Sequence, residues 1–389
     1  MNAAFERRTF LGHAGAAALA AGFGGFVHSA AAAAAAAAKV EWRNRQSSMS
    51  YRRFGRTGMM ISEVVSGGDP ITLANFEHLN LALEMGLNYL DMAPAYNRGD
   101  TERAYGKLIA SGSRRSKVFL TTKVSGLQNV RNGMYKEIFD GLPGEKREAI
   151  RKRSEEMIRE SNVMKPGYFI DYFPGQRNQI PPAYLSNAMA KDYAHKVDAN
   201  RKFRDFIAQS LEGSLQRVGT DHFDTLMCPH GACCPEELDI PEIYETFLGL
   251  KKAGKVRFLG VTSHSDPAGV LRKASELGYY DAIMHAYNVV NGGYLEHAIQ
   301  QAAAKGMGIV AMKAAMAVAT HHKSLQPVPQ WRIDKIDRIV PGDMKAPMKA
   351  YVWALQNPNI SAVVSNLWDE TFVRENLSVA GRKVELQPA

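Results

Sequence analysis

The sequence predicts an α/β fold: a (β/α)8 TIM barrel with an N-terminal β-hairpin and a long, mostly helical insertion in one βα loop. Three observations predict it: eight apolar strand signals, intervening stretches with a 3.6-residue apolar period, and no G-x-G-x-x-G after the first strand. Strict alternation favours a parallel sheet with right-handed crossovers, and eight strands suit a closed barrel better than an open sheet. The 389 residues, 46% of them hydrophobic, suffice for one barrel with additions.

The first 38 residues resemble an export signal and not a part of the fold. The stretch ERRTFLG at residues 6–12 is similar to a twin-arginine motif, and an apolar Gly/Ala-rich run at 11–27 and an alanine tract at 30–38 follow it. An uncleaved anchor and an unstructured tail are the alternatives, although His13 and several glycines make the run a poor membrane span. We expect cleavage, export by the twin-arginine machinery to the periplasm, and no stable membrane span.

The rest of the chain follows in order. Residues 39–49 are predicted to be a linker, and residues 50–389 are predicted to form the barrel. Residues 52–61, with Gly55 and Gly58 as turn signals, predict a β-hairpin that closes the bottom of the barrel. The candidate strands are residues 61–67, 88–93, 118–124, 223–228, 257–263, 282–288, 308–313 and 361–365. The helical stretches between them include residues 77–85, 203–218, 240–252, 268–277 and 295–304.

Residues 125–200 form the predicted insertion, which is far longer than a usual βα connection and begins just after Lys123. Residues 144–161 predict a charged helix, and an aromatic, proline-bearing stretch at 168–184 follows it. A surface decoration or a dimer contact is one interpretation. We favour a lid or pocket wall, because loops at the carboxyl ends of barrel strands determine specificity.

Four side chains lie at or just after the ends of three predicted strands: Asp91, Tyr96, Lys123 and His230. A phenol with a pKa near ~10 is a poor acid at neutral pH, but a neighbouring ammonium favours the phenolate and a carboxylate can hold that ammonium in place. An imidazole can orient a carbonyl beside them. Each residue alone has an ordinary structural explanation. Together, on the single face where a barrel collects its strand ends, they suit proton donation to a carbonyl while a hydride arrives from elsewhere.

Asp91, Tyr96 and Lys123 lie in blocks that resemble the aldo-keto reductase superfamily. The matching text is YRRFGRTG at 51–58, GLNYLDMAPAY at 86–96, TTKV at 121–124, GKVRFLGVTS at 254–263 and RENL at 374–377. The resemblance implies a nicotinamide cofactor and a catalytic tetrad carried by the four residues above. It implies an NAD(P)-dependent oxidoreductase that interconverts an aldehyde, ketone or sugar carbonyl with an alcohol. His230 departs from the family spacing by one residue, which a bulge would correct.

The resemblance also implies where the cofactor binds. The expected cofactor residues are Gly67, Gly68, Thr262, Ser263, Met312, Lys313, Ser365, Asn366, Leu367, Arg374 and Asn376. The carboxamide is expected near Thr262 and Ser263, the nicotinamide ring against Met312, and the diphosphate near the last strand and the following helix. NADP is the family default, but Asp369 and Glu370 would repel a 2′-phosphate, so NAD stays possible.

Charge and cysteines add little to this interpretation. The net charge of +9 comes from basic residues spread along the chain without a nucleic-acid motif, so the predicted partner is a small carbonyl or alcohol; an oligomer stays possible. Cys228, Cys233 and Cys234 flank His230 without the spacing of a closed zinc site, so no metal is predicted, and a disulfide is left open. The rival functions are a non-catalytic nicotinamide-binding barrel that senses or scaffolds, and a metal-dependent barrel hydrolase or isomerase.

Overall fold

A computed structural model describes residues 39–197, 199–321 and 326–388, so the predicted signal at residues 1–38 lies outside the described residues. The strands are β1 (Glu41–Trp42), β2 (Tyr51–Arg53), β3 (Met59–Ser62), β4 (Val64–Gly67), β5 (Tyr89–Asp91), β6 (Phe119–Lys123), β7 (Phe223–Met227), β8 (Val256–Ser263), β9 (Ala282–Ala286), β10 (Gly308–Met312) and β11 (Ala362–Asn366). Strands β4 to β11 close into a barrel in chain order, and every neighbouring pair is parallel. The predicted (β/α)8 barrel is confirmed.

Helices surround this barrel. In the described part of the chain they are α1 (Leu79–Glu84), α2 (Asp100–Ala110), α3 (Arg114–Lys117), α4 (Leu127–Asp140), α5 (Gly144–Ser161), α6 (Ile180–Tyr193), α7 (Ala199–Val218), α8 (Pro241–Lys252), α9 (Pro267–Leu277), α10 (Glu296–Ala304), α11 (Gln330–Ile339), α12 (Ala346–Gln356) and α13 (Glu370–Leu377). Each predicted helix is present within a few residues of its expected ends. None of the helices in these ranges is both long and apolar enough to cross a bilayer.

The predicted hairpin closes one end of the barrel. β2 and β3 pair antiparallel, and their apolar side chains Phe54, Met59 and Ile61 are buried in one cluster with barrel-interior residues such as Val65 and Phe119. Gly308 allows Phe54 to pack this closely, because a Cβ at position 308 would lie 2.5 Å from the Phe54 ring. The hairpin therefore supplies the lower layer of the barrel core.

Two boundary predictions need correction. The single strand predicted at 61–67 is two strands, because the backbone N–H of Glu63 donates to Ser50 in the hairpin while its carbonyl accepts from Val363 in the barrel. The predicted linker at 39–49 is part of the fold. It contains β1, which pairs with β3, and its Arg43 guanidinium donates to the Val118 carbonyl at 2.7 Å and lies 3.1 Å from Asp224.

Residues 125–197, here called the rim segment, extend from the carboxyl end of β6. Helices α4, α5 and α6 pack on each other around a small core of their own, and the helix predicted at 144–161 is confirmed as α5. The connection from α5 to α6 is tied to the barrel. The Tyr168 hydroxyl bonds the Asp266 carboxylate and accepts from the Ala268 N–H at 2.9 Å, and the Tyr172 hydroxyl accepts from Asn288 at 2.7 Å. These hydrogen bonds hold the connection between α5 and α6 against the carboxyl ends of the barrel strands, and whether the rim segment acts as a wall or as a lid stays a prediction.

Candidate active site

Asp91 and Lys123 form a buried ion pair at the ends of neighbouring strands β5 and β6. The Lys123 Nζ lies 2.5 Å from Asp91 Oδ1 and also donates to the Met92 carbonyl at 2.9 Å. The two side chains are 2% and 1% exposed. Burial raises the pKa of Asp91 and lowers the pKa of Lys123, and the attraction between the two charges opposes both shifts. The ammonium is therefore held at one defined point of the barrel mouth.

Tyr96 lies in the loop after β5, where Asn97 and Arg98 adopt left-handed backbone conformations. The Lys123 Nζ lies 4.5 Å from the centroid of the Tyr96 ring. The Tyr96 hydroxyl has no hydrogen-bond partner among residues 39–197, 199–321 and 326–388. The ring lines an open cavity, so this hydroxyl is available to a ligand.

The direction of the Tyr96 pKa differs from the expectation. We expected the ammonium to lower it, but burial, followed by the charges of Asp91 and Asp69, raises the pKa of Tyr96 well above its ordinary value. The reason is that the Lys123 charge is already matched by the Asp91 carboxylate, so it does not dominate the field at the phenol. Tyr96 is consequently a protonated phenol at neutral pH, which is the form that can donate a proton.

His230 completes the cluster three residues after the end of β7. Its ring stands edge-on to Tyr96 with centroids 5.7 Å apart, and its Nδ1 lies 2.7 Å from the Ser125 Oγ. Its own backbone is held by Val124 and Gln128, the latter donating to the His230 carbonyl at 2.6 Å. Burial and then the positive charges of Lys123 and Lys313 lower the pKa of His230 well below its usual range, so the imidazole is neutral at pH 7. The structure brings all four predicted catalytic side chains together.

A cavity of about 460 Å³, here called the barrel cavity, opens beside Tyr96 between the ends of the strands and helices α12 and α13. Six of the eleven predicted cofactor residues line it: Gly67, Gly68, Met312, Lys313, Asn366 and Asn376. Two positions in its lining require glycine for packing, because a Cβ on Gly67 would lie 2.8 Å from Val364 and one on Gly68 would lie 2.5 Å from the Asp91 carbonyl.

The other five predicted cofactor residues lie outside the barrel cavity: Thr262, Ser263, Ser365, Leu367 and Arg374. The hydroxyls of Thr262 and Ser263 bond the loop after β7, where Gly231 N–H donates to Thr262 at 2.7 Å and Ser263 donates to the Ala232 carbonyl at 2.8 Å. Ser365 accepts from the Asn376 side chain, Leu367 is buried in the core, and Arg374 is exposed beside Glu370. Asn376 thus lines the cavity, whereas Arg374 faces solvent.

Sequence reasoning missed several side chains of the barrel cavity, notably His264 and Trp368. His264 directly follows the matched block at 254–263, and its ring lies edge-on to Phe173 of the rim segment, with centroids 5.3 Å apart. Burial and the charge of Lys313 lower the pKa of His264 well below its usual range. Its place after a strand end was the signal that could have identified it.

A second cavity of about 650 Å³, here called the helix cavity, lies between α4, α5, α6 and the loop after β7. His230 lines the helix cavity and Tyr96 lines the barrel cavity, so the two contacting rings belong to the walls of different cavities. Cys228, Cys233 and Cys234 are buried free thiols around this loop. Among the described residues no three His, Cys, Asp or Glu side chains are placed to bind a metal ion.

Comparison with known proteins agrees with this geometry. The family model "Aldo/keto reductase family" matches residues 73–173 and 184–335, well over half of the chain. Two proteins of Alternaria alternata are similar: aldo-keto reductase AMT2 is 24% identical over 237 residues, and aldo-keto reductase AFTS1 is 24% identical over 232. Each match covers 56% of this chain and 51% of the relative, so the chain spans about half the length of the curated relatives it matches.

The fold has solved counterparts. The holo form of aldo-keto reductase AKR11C1 from Bacillus halodurans superposes with a TM-score of 0.55 at 17% identity, over 86% of this chain and 92% of that one. At this identity the likeness concerns the barrel architecture alone.

Proposed function

The chain belongs to the aldo/keto reductase family, and from this premise we propose that it is an NAD(P)-dependent oxidoreductase that interconverts a carbonyl group with an alcohol. One observation carries the proposal. A buried ammonium, Lys123, is bonded to Asp91 at 2.5 Å and lies 4.5 Å from the Tyr96 ring, at the mouth of a cavity large enough for a small molecule. Ordinary packing does not require a buried lysine at this point.

The barrel cavity fits a nicotinamide cofactor. Its volume of about 460 Å³ falls within the range of cofactor pockets. Met284 and Met312 offer a polarisable apolar surface for a flat ring, and Lys313, Asn366 and Asn376 offer a cation and amides for the polar portion. When bound, the cofactor would supply the hydride.

The proton chemistry belongs to Tyr96. As a hydride reaches the carbonyl carbon, the carbonyl π electrons move to oxygen, and that oxygen takes the proton of the Tyr96 hydroxyl to complete the alcohol. Lys123 stabilises the phenolate that remains until solvent returns a proton, and Asp91 holds Lys123 in position. Alcohol oxidation uses the same groups in reverse, with Tyr96 as the base.

His230 orients the carbonyl. Its pKa is lowered, so the ring is neutral, and its Nδ1 lies 2.7 Å from the Ser125 Oγ. We assign the Ser125 hydroxyl as the donor in this bond, which leaves the ring proton on Nε2. Nε2 then has a hydrogen to donate to the carbonyl oxygen, which aligns that oxygen with the Tyr96 hydroxyl. Polarisation by a neutral donor avoids placing a second full charge beside Lys123.

The test uses full-length protein, reduced nicotinamide and a panel of aldehydes and ketones. Consumption of NADH or NADPH that depends on the carbonyl is the expected result, with a corresponding alcohol as product. Turnover of no carbonyl and no alcohol by protein that binds the cofactor would refute the enzymatic proposal.

The cofactor type is open between NADP and NAD. Trp368 lines the barrel cavity and can report binding of either reduced cofactor by quenching of its fluorescence. Titrations with NADPH and NADH should give different dissociation constants, and the tighter one names the cofactor. The signal should fall in Trp368→Phe, whereas replacement of the exposed Trp331 by Phe should leave it unchanged.

Export to the periplasm is a further part of the proposal, supported by the motif at residues 6–12 and the alanine tract that follows. Replacement of Arg7 and Arg8 by lysine should retain the protein in the cytoplasm. Equal export of this variant and the parent in cell fractionation would contradict the twin-arginine route.

A further inference from the structure

We infer that the cofactor of this chain is NAD and not NADP, and that Trp368 and Phe372 hold its adenine ring at the outer end of the barrel cavity. The inference rests on the function proposed above only in taking a nicotinamide dinucleotide as the ligand. It concerns the adenosine end of that ligand, which takes no part in hydride transfer. Binding of the adenosine end can therefore be tested apart from the reaction.

The two ends of the barrel cavity differ in character. Tyr96 lines the cavity at the reacting end, and Met284 and Met312 line it from the neighbouring strands β9 and β10. At the outer end, Trp368 lines it from the loop after β11 and Phe372 from helix α13. Because one cavity joins both ends, a dinucleotide whose nicotinamide lies against the methionines extends its adenosine toward Trp368 and Phe372.

The side chains of Trp368 and Phe372 suit an adenine ring. The ring of His321 lies 5.9 Å from the Trp368 ring, and its Nε2 lies 3.0 Å from the Asn366 amide nitrogen, so the indole packs on a hydrogen-bonded neighbour. Phe372 is 41% exposed, so part of its ring is open to a ligand. A purine base stacks on aromatic side chains without needing a charge on either partner.

The outer end supplies no cation for a 2′-phosphate. Lys313 is the only lysine or arginine among the described residues that line the barrel cavity, and its charge acts on Asp91 and His230, at the reacting end. A phosphate monoester carries about two negative charges at neutral pH and is bound by arginine or lysine. NADP would place this charge where the lining has no counter-charge, whereas NAD places a neutral hydroxyl there.

The exposed basic side chains at α12 and α13 are already paired. Lys345, directly before α12, lies 2.5 Å from a carboxylate oxygen of Glu375. Arg374 on α13 lies 3.6 Å from a carboxylate oxygen of Glu370. A phosphate that recruited either cation would first have to displace its carboxylate.

The start of α13 is acidic. The Asp369 carboxylate caps this helix by accepting from the Phe372 N–H at 3.0 Å, and Glu370 adds a second negative charge in the first turn. The first N–H groups of a helix attract anions, but here a carboxylate already accepts from one of them. A phosphate is therefore repelled, whereas a ribose hydroxyl can donate to the exposed Asp369 carboxylate.

The experiment measures binding by calorimetry on the full chain, with NADH, NADPH, ADP-ribose and 2′-phospho-ADP-ribose as probes. NADH should bind at least about tenfold more tightly than NADPH, because the extra phosphate meets acids and no free cation. ADP-ribose should likewise bind more tightly than its 2′-phosphorylated form. The last two probes lack nicotinamide, so they report on the adenosine end alone.

Two variants separate stacking from charge. Phe372→Leu keeps an apolar side chain and loses the aromatic face, so the dissociation constant of ADP-ribose should rise about three- to tenfold. Its control is Trp331→Leu, at an exposed aromatic residue outside the cavity. Asp369→Ser keeps a helix-capping oxygen and removes the charge, so 2′-phospho-ADP-ribose should bind about fivefold more tightly. Its control is Asp205→Ser, at an exposed acid on α7 outside both cavities.

Binding of NADPH as tight as that of NADH, or tighter, would overturn the inference. So would equal dissociation constants of ADP-ribose in Phe372→Leu and Trp331→Leu. Carbonyl turnover measured separately keeps the two proposals distinguishable. Turnover by protein that prefers NADPH refutes only the choice of NAD, and a preference for NADH without any turnover refutes only the enzymatic proposal.

Discussion

The barrel strands and the rim segment build the two halves of the site in different ways. Asp91 and Lys123 project from strands, are 2% and 1% exposed, and bond each other inside the protein. Asn129 and Gln179 belong to the rim segment, are exposed, and present open polar groups to a cavity. The strand residues are paired with each other, whereas these rim residues have polar groups that face an open cavity. Replacements in the strands should therefore abolish chemistry or stability, and replacements in the rim should alter recognition.

The largest effect is expected from Tyr96→Phe. Loss of the proton donor should reduce turnover on the order of 1,000-fold, while the dissociation constant of the cofactor measured by fluorescence stays close to that of the parent. The matched control is Tyr244→Phe, because Tyr244 stacks on Tyr279 on the outside of the barrel. Turnover in Tyr96→Phe within about tenfold of the parent would remove Tyr96 from the proposed mechanism.

Lys123→Met tests the strand half through stability. It leaves the Asp91 carboxyl buried without its partner, and loss of one member of a buried pair costs roughly 3–5 kcal/mol of unfolding free energy. Urea denaturation at neutral pH measures this cost. The double variant with Asp91→Asn should regain part of the loss, since no uncompensated charge is left. A double variant that loses the sum of both single effects would show that the two residues act independently.

Glu237→Gln tests the rim, where this buried acid forms no ion pair in the described part of the chain and burial outweighs the nearby charge of Arg131. The native pKa of about 7 lies above the ordinary 4.5, so the native state binds the proton more tightly than the unfolded chain. The parent should therefore lose stability as pH rises from about 4.5 to 7, by roughly 3 kcal/mol in total. The glutamine variant should lack this contribution, so the difference in unfolding free energy between the two proteins should change with pH in that window. A constant difference from pH 4 to 8 would contradict the burial of an ionisable Glu237.

The barrel strands and the rim segment also differ in how well the sequence predicts them. Apolar runs of five to seven residues predicted every barrel strand, and the strand ends predicted the positions of Asp91 and Lys123, because a parallel barrel collects the carboxyl ends of all its strands on one face. The helix cavity could not be foreseen, since Gln128 and Glu237 line it from segments that are far apart in the chain. Glu237 in particular follows Pro235 in a short polar stretch that is typical of an exposed turn.

The electrostatic environment of the site could not be predicted from the sequence either. The rise in the Tyr96 pKa depends on how deeply the phenol is buried and on which charge already matches Lys123, and neither follows from residue order. For a related reason, some of the predicted cofactor residues line the barrel cavity and others do not. The order of the strands places Thr262 and Ser263 near the carboxyl end of the barrel, but both hydroxyls are hydrogen-bonded to the backbone of the loop after β7.

The smallest effect is expected from Tyr168→Phe, which tests whether the rim segment is a wall or a lid. The hydroxyl of Tyr168 bonds Asp266 and accepts from the Ala268 N–H at 2.9 Å, so its loss should cost about 1–2 kcal/mol and loosen the connection between α5 and α6. Hydrogen exchange should then accelerate in residues 162–179 and not in the strands. Tyr294→Phe is the comparison variant, because Tyr294 is exposed and its hydroxyl donates to the Pro166 carbonyl on the same connection at the longer distance of 3.2 Å. Exchange that is already fast in the parent would show that this connection moves as a lid, and the division between a finished barrel and a fixed wall would no longer hold.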